Sequence, residues 1–319
     1  RIRKMIFDIR QTYRPFEYPQ FYEFYRNQQL VHWTKDEINL GQDVQDWNMH
    51  LTQNEKDVIG GILKGFTQME ILVGDYWRKV AEWFPKPEIA MMASAFSYFE
   101  SIHMDNYAMI NEQLQLDDFS AFLYDTATKQ KLDYFIERPE IKSKEEIAKS
   151  IAIFSAFAEG CLLFSSFAVL LSFQKENLMK GVGQIVSFSI RDENSHSEGG
   201  IYLFNKIIEE YPKIKEQIKD DILEAANICY QLEEQFLNNL FKTGNIRTLT
   251  KEELLNFVKD RLNLKLQELG YEKIFEINKE LLQNISWFGS LSSGREFGDF
   301  FATRVSEYSQ NKINPNELW

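Results

Sequence analysis

The chain has 319 residues, of which 44% are hydrophobic and 14% aromatic, so it can bury a large core and is not a disordered protein. Its 7 prolines and 15 glycines are too few for the frequent turns of a β-sandwich or barrel. The 36 basic and 48 acidic residues give a net charge of −12, which argues against nucleic acid or an anionic membrane as the main partner. The 2 cysteines exclude a disulfide framework and suit a reducing cytoplasm, where we expect the protein to act.

Turn-forming residues and capping patterns divide the chain into long helices. A capping box that Thr52 forms with Glu55 predicts a helix running to about Trp83, before two prolines. Similar boxes begin at Ser143 and Thr250. In chain order, the predicted helices cover residues 52–83, 87–114, a shorter stretch ending near 136, 143–173, 179–211, 213–242, 250–266 and 278–288.

Strand-like alternation is scarce, and no linker divides the chain. We therefore predict a single all-α domain over residues 1–319, built as a helical bundle with extra helices. The first 50 residues are rich in Tyr, Phe and Trp, and we expect an irregular N-terminal arm there. A C-terminal tail covers about residues 300–319.

One segment, residues 150–173, is apolar enough to resemble a membrane span and carries a single charge, Glu159. A carboxylate in the middle of a span is costly in lipid, and a helix apolar on all sides also suits the centre of a large bundle. We predict the buried location and no membrane contact. Glu159 then needs a partner inside the bundle.

Two of the four histidines close the same local pattern. Glu100 lies three residues before His103, and Glu193 lies three residues before His196. Side chains three apart on a helix lie on one face, so each pair can reach a single point. A carboxylate and an imidazole at one point are ligands suited to iron, manganese or zinc.

A further glutamate precedes each pair in an apolar helical context. Glu70 lies 30 residues before Glu100, and Glu159 lies 34 residues before Glu193, a spacing that suits antiparallel neighbouring helices. The order Glu, Glu-x-x-His, Glu, Glu-x-x-His resembles that of the ferritin-like dinuclear carboxylate proteins. Four carboxylates with two neutral imidazoles carry a charge that two divalent cations balance, whereas unbalanced carboxylates in an apolar core are very costly.

Tyr107 lies four residues after His103, on the same helical face and about 6 Å further along the axis. A phenol this close to an oxidising metal pair can lose an electron and a proton to it. Phenylalanines at 99, 164, 167 and 188 are candidates for a dry surround that protects a radical.

At these residues the chain resembles, over essentially its whole length, the radical-generating small (beta) subunit of class I ribonucleotide reductase. The stretches that carry the resemblance are Arg14-Pro15-Phe16-Glu17-Tyr18-Pro19, Val31-His32-Trp33, Phe99-Glu100-Ser101-Ile102-His103 with Tyr107, Ala158-Glu159-Gly160, Arg191-Asp192-Glu193-Asn194-Ser195-His196 and Arg304-Val305-Ser306-Glu307-Tyr308. The resemblance implies these metal ligands: Glu70, Glu100, His103, Glu159, Glu193 and His196. It places Tyr107 at the radical position and Tyr308 at the tail tyrosine that relays the radical.

The resemblance also implies a supporting role for Asp192, which accepts hydrogen bonds from a ligand histidine and from Trp33. This role meets the need to orient a metal-bound imidazole through its other nitrogen. One departure concerns the first ligand, since many iron-dependent members have Asp where this chain has Glu70. A glutamate there resembles subgroups that use manganese, alone or with iron, so manganese is favoured over iron or a mixed pair. In some of these subgroups the metal pair, not the tyrosine, stores the oxidant.

The resemblance implies a homodimer that passes its oxidant to a separate catalytic (alpha) subunit, which reduces ribonucleoside diphosphates to deoxyribonucleotides. The residues agree with a separate catalytic subunit. The chain has no glycine-rich phosphate loop, and its two cysteines cannot supply both a reducing dithiol and a thiyl radical. The acidic tail ending in Trp319 is the predicted docking segment. The metals, the activating oxidant (dioxygen, superoxide or peroxide) and the storage of the oxidant on Tyr107 or on the metals stay open.

Three other functions compete with this one. The nearest is a ligand-binding dimetal oxidase, which builds a Val–Tyr crosslink; Leu72 and Phe154 stand at the matching positions, which disfavours it. Ferritin-like metal storage is a second, but ferritins are much shorter and do not need the Trp33–Asp192 pair. A purely structural helical protein is the third, and it predicts no bound metal.

Overall fold

A computed structural model describes residues 5–116, 118–120, 124–136 and 143–292. These residues form helices and turns but no β-strand, which confirms the all-α prediction. The helices before the first long gap are α1 (Pro19–Leu30), α2 (Gly41–Met49), α3 (Gln53–Trp83), α4 (Pro87–Gln113) and α5 (Thr126–Ile136). After it come α6 (Lys144–Ile153), α7 (Phe164–Ser172), α8 (Lys180–Glu210), α9 (Lys213–Gln217), α10 (Lys219–Leu240), α11 (Lys251–Glu268), α12 (Lys279–Asn284) and α13 (Trp287–Ser292). Short 3₁₀ helices cover Lys35–Glu37 and Phe173–Glu176.

The centre of the fold consists of two helical hairpins. Helices α3 and α4 are joined by three residues and pack along each other, while α6 and α7 pack on α8. Contacts of α4 with α8 and of α3 with α7 bring the two hairpins together. The short connections make neighbouring helices antiparallel, as in a four-helix bundle.

All three predicted capping boxes are present. The side chains of Thr52, Ser143 and Thr250 accept hydrogen bonds from the backbone of a glutamate three residues later, and each glutamate binds back to the cap. These reciprocal bonds satisfy the free N–H groups at the start of a helix. They explain why the sequence locates the starts of α3, α6 and α11 to within a residue.

The apolar segment predicted as one helix over 143–173 is interrupted. Between α6 and α7 the residues Phe154–Leu162 form a π-helix, which we call the π segment, and every residue in it is buried. In the most apolar window of this stretch, 94% of the residues are buried inside the protein, as expected for the centre of a bundle. The π segment carries Glu159, and π segments occur frequently at functional sites.

The first fifty residues are more regular than predicted. Helices α1 and α2 form there, and α1 packs on α4 and α8. Buried aromatic side chains such as Phe21 and Trp33 anchor this arm on the bundle, and burial of such large apolar surfaces stabilises its helices. Two other predicted helices are also divided, over 213–242 at Ile218 and over 278–288 at Ile285 and Ser286.

The arm fixes the start of α8 through two aspartates of α2. Asp43 accepts hydrogen bonds from the backbone N–H groups of Gly181, at 3.1 Å, and Val182, at 2.8 Å. Asp46 accepts one from Met179, at 2.9 Å. Helix α8 has no side-chain cap of its own, so these carboxylates satisfy its first N–H groups and meet the positive end of its dipole.

We therefore expect Asp43→Ala to lower the free energy of unfolding by about 1–2 kcal/mol, the range for loss of a helix cap. Urea unfolding followed by circular dichroism measures this change. Asp57→Ala removes an exposed carboxylate from α3 and should change stability by less than about 0.5 kcal/mol. Equal effects from the two substitutions would show that Asp43 does not act as a cap.

Candidate metal centre

The six predicted ligands converge in the centre of the bundle. Glu70 comes from α3, Glu100 and His103 from α4, Glu159 from the π segment, and Glu193 and His196 from α8. All six side chains are completely buried, with 0% exposure. The other two histidines, His32 and His50, lie at the surface.

The first imidazole points one nitrogen at three carboxylates. Nδ1 of His103 lies 2.9 Å from Glu100 Oε2, 3.1 Å from Glu193 Oε1 and 3.9 Å from Glu70 Oε2. These three glutamates come from three different helices, so the cluster exists only in the folded bundle. Its geometry places an imidazole nitrogen and three carboxylate oxygens around one point.

The second imidazole repeats the arrangement with a different set of carboxylates. Nδ1 of His196 lies 2.6 Å from Glu100 Oε1, 3.8 Å from Glu193 Oε2 and 3.9 Å from Glu159 Oε1. The imidazole centroids of His103 and His196 are 6.3 Å apart. Each ring therefore faces its own donor group.

These side chains form two groups of four donors, and within each group the donor atoms lie within 4.8 Å of one another. The groups are Glu70–Glu100–His103–Glu193 and Glu100–Glu159–Glu193–His196. Glu100 and Glu193 belong to both groups, one oxygen of each carboxylate facing each imidazole. Despite these short distances, both oxygens of Glu70 and of Glu193 and both ring nitrogens of His196 are buried without a hydrogen bond of acceptable geometry. Buried polar atoms without partners are rare and costly, and a pair of divalent cations satisfies such a donor set.

Burial disturbs the protonation of these groups strongly. Burial, together with neighbouring carboxylates, raises the pKa of Glu70 and of Glu100 to about 7 and that of Glu193 to about 8. The pKa of Glu159 is raised well above its usual value for the same reasons. Without metal, several of these carboxyl groups hold protons at neutral pH, since four ionised carboxylates in one apolar site repel each other.

A second layer of side chains orients His103. Its Nε2 lies 3.2 Å from Asp192 Oδ2, which also accepts a 2.8 Å hydrogen bond from Trp33 Nε1. Burial alone would raise the pKa of Asp192, but the bond from His103 and the charge of Arg191 hold it below its usual value. An ionised Asp192 keeps a proton on Nε2 of His103 and leaves Nδ1 free to face the carboxylates.

Tyr107 is fully buried beside the cluster, and its hydroxyl donates a 2.8 Å hydrogen bond to Ser189 Oγ. Phe66 packs against its ring in an edge-on contact, 4.9 Å between centroids, and Phe167 packs behind Phe66. Burial raises the pKa of Tyr107 well above its usual value, so the phenol stays neutral. The surroundings are buried and aromatic, but the ring that contacts Tyr107, Phe66, was not among the predicted residues.

Two further contacts were not predicted. Trp77 Nε1 donates a hydrogen bond to Glu159 Oε1, and Ser189 is the partner of Tyr107. Helix periodicity could have placed both side chains near the site. Trp77 lies seven residues after Glu70, and Ser189 lies four residues before Glu193, so each is on the helix face that carries that glutamate. Tyr308 lies outside the described residues.

Comparison with known proteins identifies the family. The family model for the ribonucleotide reductase small chain matches residues 10–281. The chain belongs to the ribonucleotide reductase small-chain family. The chain is 32% identical to a probable ribonucleoside-diphosphate reductase small subunit of Invertebrate iridescent virus 3, over 97% of this chain and 87% of the relative. It is 24% identical to the ribonucleoside-diphosphate reductase subunit beta of Chlamydia pneumoniae, over 92% and 88% of the two chains.

Solved structures agree on the fold. A putative class I ribonucleotide reductase from Bacillus halodurans superimposes with a TM-score of 0.76 at 21% identity, covering 85% of this chain and 99% of that one. The dimanganese(II)-NrdF of Streptococcus sanguinis gives 0.74 at 20% identity, covering 87% and 99%. The ferritin-like fold is thereby confirmed. The family model and the curated relatives confirm the function as the radical-generating small subunit of a ribonucleoside-diphosphate reductase, an oxidoreductase. These findings favour that function over a ligand-binding oxidase or metal storage.

Family membership and the two donor groups together identify a dinuclear metal site in this small chain. The small chains of this family are homodimeric and work with a large catalytic subunit.

We expect the metal-free protein to lose stability as the pH rises from about 6.5 to about 8. In the unfolded chain Glu70, Glu100 and Glu193 are ionised above their usual pKa of 4.5, whereas in the folded protein their pKa values lie at about 7, 7 and 8. The folded state therefore binds more protons than the unfolded chain in this range, so the free energy of unfolding falls with rising pH and levels off once the folded protein has lost these protons too. His196 opposes this trend only in part: burial lowers its pKa to about 4 in the folded protein, so only the unfolded chain, with the usual pKa of 6.5, loses a proton from this residue in the range, and three carboxyl groups outweigh one imidazole.

Urea unfolding of metal-free protein at these two pH values measures the decline. Glu193→Gln removes one titrating group and should make the decline smaller. A stability that stays constant or increases over this range would contradict the shared protonation of the cluster.

Proposed function

We propose that two metal ions are held by the six buried donors: Glu70, Glu100, His103, Glu159, Glu193 and His196. The observation that carries this proposal is the pair of overlapping donor groups, which share Glu100 and Glu193 and leave buried carboxylate oxygens without partners. When bound, the metal pair supplies a one-electron oxidant through reaction with dioxygen, superoxide or peroxide. The protein's own residues orient the ligands, exclude water and carry the oxidising equivalent away.

We propose Tyr107 as the residue that is oxidised inside the bundle. Its hydroxyl donates a hydrogen bond to Ser189 Oγ, and this bond fixes the orientation of the phenol. Phe66 packs on its ring and Phe167 packs on Phe66, and these buried aromatic rings keep water away. A neutral phenol in a dry site loses its electron only together with its proton, and both would pass to the metal pair when it is bound. The exclusion of water then protects the resulting radical from quenching by solvent.

The path out of the bundle runs through the hydrogen-bonded chain from His103 to Asp192 to Trp33. Asp192 Oδ2 binds both rings, so one carboxylate oxygen connects a metal ligand with an indole that is 1% exposed. Arg191 binds the other oxygen of Asp192, at 3.1 Å, and fixes its orientation. On the basis of the family resemblance, we propose that Tyr308 in the C-terminal tail is the next residue to be oxidised on the way to the catalytic subunit.

We propose manganese, before iron or a mixed pair, as the metal in this chain. The donor set of four carboxylates and two imidazoles is rich in hard oxygen ligands, which suit manganese. The glutamate at position 70 supports the same choice, and one structural relative is described as a dimanganese(II) protein.

We further propose one domain over the whole chain, a cytoplasmic location without membrane contact, and docking on the catalytic subunit through the tail of about residues 300–319.

We expect purified protein to bind two metal ions per chain and Glu193→Ala to lose both. Glu193 lies in both donor groups, so its loss should weaken binding at both by more than the roughly 10- to 100-fold typical of residues outside the ligand shell. Elemental analysis after equilibrium dialysis against manganese measures the content. Glu209→Ala on the same helix removes an exposed carboxylate and should keep two ions. A Glu193→Ala protein that retains two ions would contradict the ligand assignment.

We expect Tyr107→Phe to abolish the tyrosyl signal in electron paramagnetic resonance (EPR) spectra of manganese-loaded, oxidatively activated protein, while both ions stay bound. The substitution removes only the hydroxyl, so packing against Phe66 is kept. Tyr76→Phe changes another buried tyrosine of the bundle and should leave the signal intact. A signal with manganese hyperfine lines that survives Tyr107→Phe and supports nucleotide reduction would place the stored oxidant on the metals.

A further inference from the structure

The π segment that carries Glu159 is surrounded by outer helices. Helix α11 packs along it, and α10 contacts it as well. Where a helix changes from i→i+5 to i→i+4 hydrogen bonding, its backbone ladder is interrupted and carbonyl oxygens at the junction need other donors. Two buried carbonyl oxygens near Glu159, those of Gly160 and Leu162, receive such donors from side chains of other helices.

The first donor is Arg261 of α11. Its Nε and Nη2 donate to the carbonyl oxygen of Gly160, at 2.9 and 2.7 Å, and its guanidinium lies 3.4 Å from the ring centroid of Phe164. Gly160 directly follows Glu159, and a Cβ atom there would lie 2.7 Å from Lys265 Cε. The absence of a side chain at Gly160 therefore lets α11 approach the backbone beside the proposed ligand.

The second donor is Lys131 of α5. Its Nζ donates to the carbonyl oxygen of Leu162 at 2.7 Å and forms an ion pair with Glu233 Oε2 of α10, also at 2.7 Å. Ser165 donates to the other oxygen of Glu233. The side chains of Lys131 and Glu233 are 3% and 0% exposed. A buried ion pair of this kind adds little net stability, so we assign it the role of holding the Lys131 ammonium against the carbonyl oxygen of Leu162.

We propose that Arg261, Lys131 and Glu233, together the carbonyl clamp, are positioning residues that hold the π segment in register and thereby set the metal affinity of the donor group containing Glu159. This inference rests on the proposed ligand set. The clamp acts on the backbone immediately after Glu159 and from the side of the outer helices, away from the helices that supply the other ligands.

The clamp should affect one metal ion and not the other. If the π segment relaxed to an α-helix, the one-residue change of register would rotate part of it by about 100° about its axis. Glu159 Oε1, now 3.9 Å from His196 Nδ1, would leave its donor group. The group Glu70–Glu100–His103–Glu193 contains no residue of the π segment and should be unchanged.

The test is a titration of the metal-free protein with Mn²⁺, in which the EPR signal of the free ion measures binding in two steps. The clamp variants are Arg261→Met and the double variant Lys131→Met with Glu233→Gln, which leaves no unpaired buried charge. We expect the first ion to bind as in the wild type and the second about 10- to 100-fold more weakly, the range for residues that orient metal ligands. Arg261→Lys keeps a charged donor and should lose less than Arg261→Met.

A matched control removes an equally buried ion pair elsewhere. Arg10 and Glu88 join the N-terminal arm to α4 with side chains 2% and 0% exposed, and Arg10→Met with Glu88→Gln should keep both binding steps even where thermal stability falls. Hydrogen exchange separates positioning from general destabilisation. In the clamp variants the loss of amide protection should concentrate in residues 154–162, and in the control it should not.

Wild-type affinity for both ions in the clamp variants would overturn the proposal, as would loss of the second ion in the control. Glu159→Ala distinguishes this failure from failure of the ligand set. If Glu159→Ala loses the second ion while the clamp variants do not, the ligands stand and the clamp is wrong. If Glu159→Ala binds both ions like the wild type, the ligand assignment itself fails.

Discussion

The structure depends on one constraint, the repulsion among four carboxylates that are buried in the same apolar site. Glu70, Glu100, Glu159 and Glu193 are each 0% exposed, and burial raises the pKa of every one of them. Such a cluster is tolerable in only two forms, with protons on several of the carboxyl groups or with cations between them. The bundle is therefore built to exchange protons for metal ions, and the ion charge replaces the missing solvation.

The four carboxylates are divided equally between the two helical hairpins. Glu100 and Glu193 lie on α4 and α8, the second helix of each hairpin, and each faces both imidazoles. Glu70 and Glu159 lie on the first helix of each hairpin and contribute to one donor group each. The two hairpins differ in one respect. Helix α3 is regular throughout, whereas the π segment breaks the regular ladder at Glu159 and recruits cations from outer helices to its carbonyl oxygens.

The proposed connection between the metal centre and the surface also depends on a buried charge. Asp192 stays ionised although it is fully buried, because His103, Trp33 and Arg191 all donate to it. It holds the imidazole in the form that leaves Nδ1 for the metal site, and it links that imidazole to the indole of Trp33. The N-terminal arm thus takes part in the proposed path: it supplies Trp33, and through Asp43 it caps the helix that carries Asp192.

Features set by local geometry could be read from the sequence alone. The capping boxes at Thr52, Ser143 and Thr250 locate helix starts, and the spacing of Glu100 with His103 and of Glu193 with His196 places each pair on one helical face, because these interactions span only three residues. The pairing of Asp192 with Trp33 was accessible only through family resemblance, since 159 residues separate the two partners.

Tertiary structure alone decided the rest. The π segment leaves no mark in composition or periodicity, because a change of hydrogen-bond register needs no particular residue. The bonds from Trp77 to Glu159, from Lys131 to Glu233 and from Arg261 to Gly160 join different helices. Their partners are chosen by how those helices pack, and helix packing depends on the complementary shapes of whole surfaces, which short-range sequence patterns do not specify.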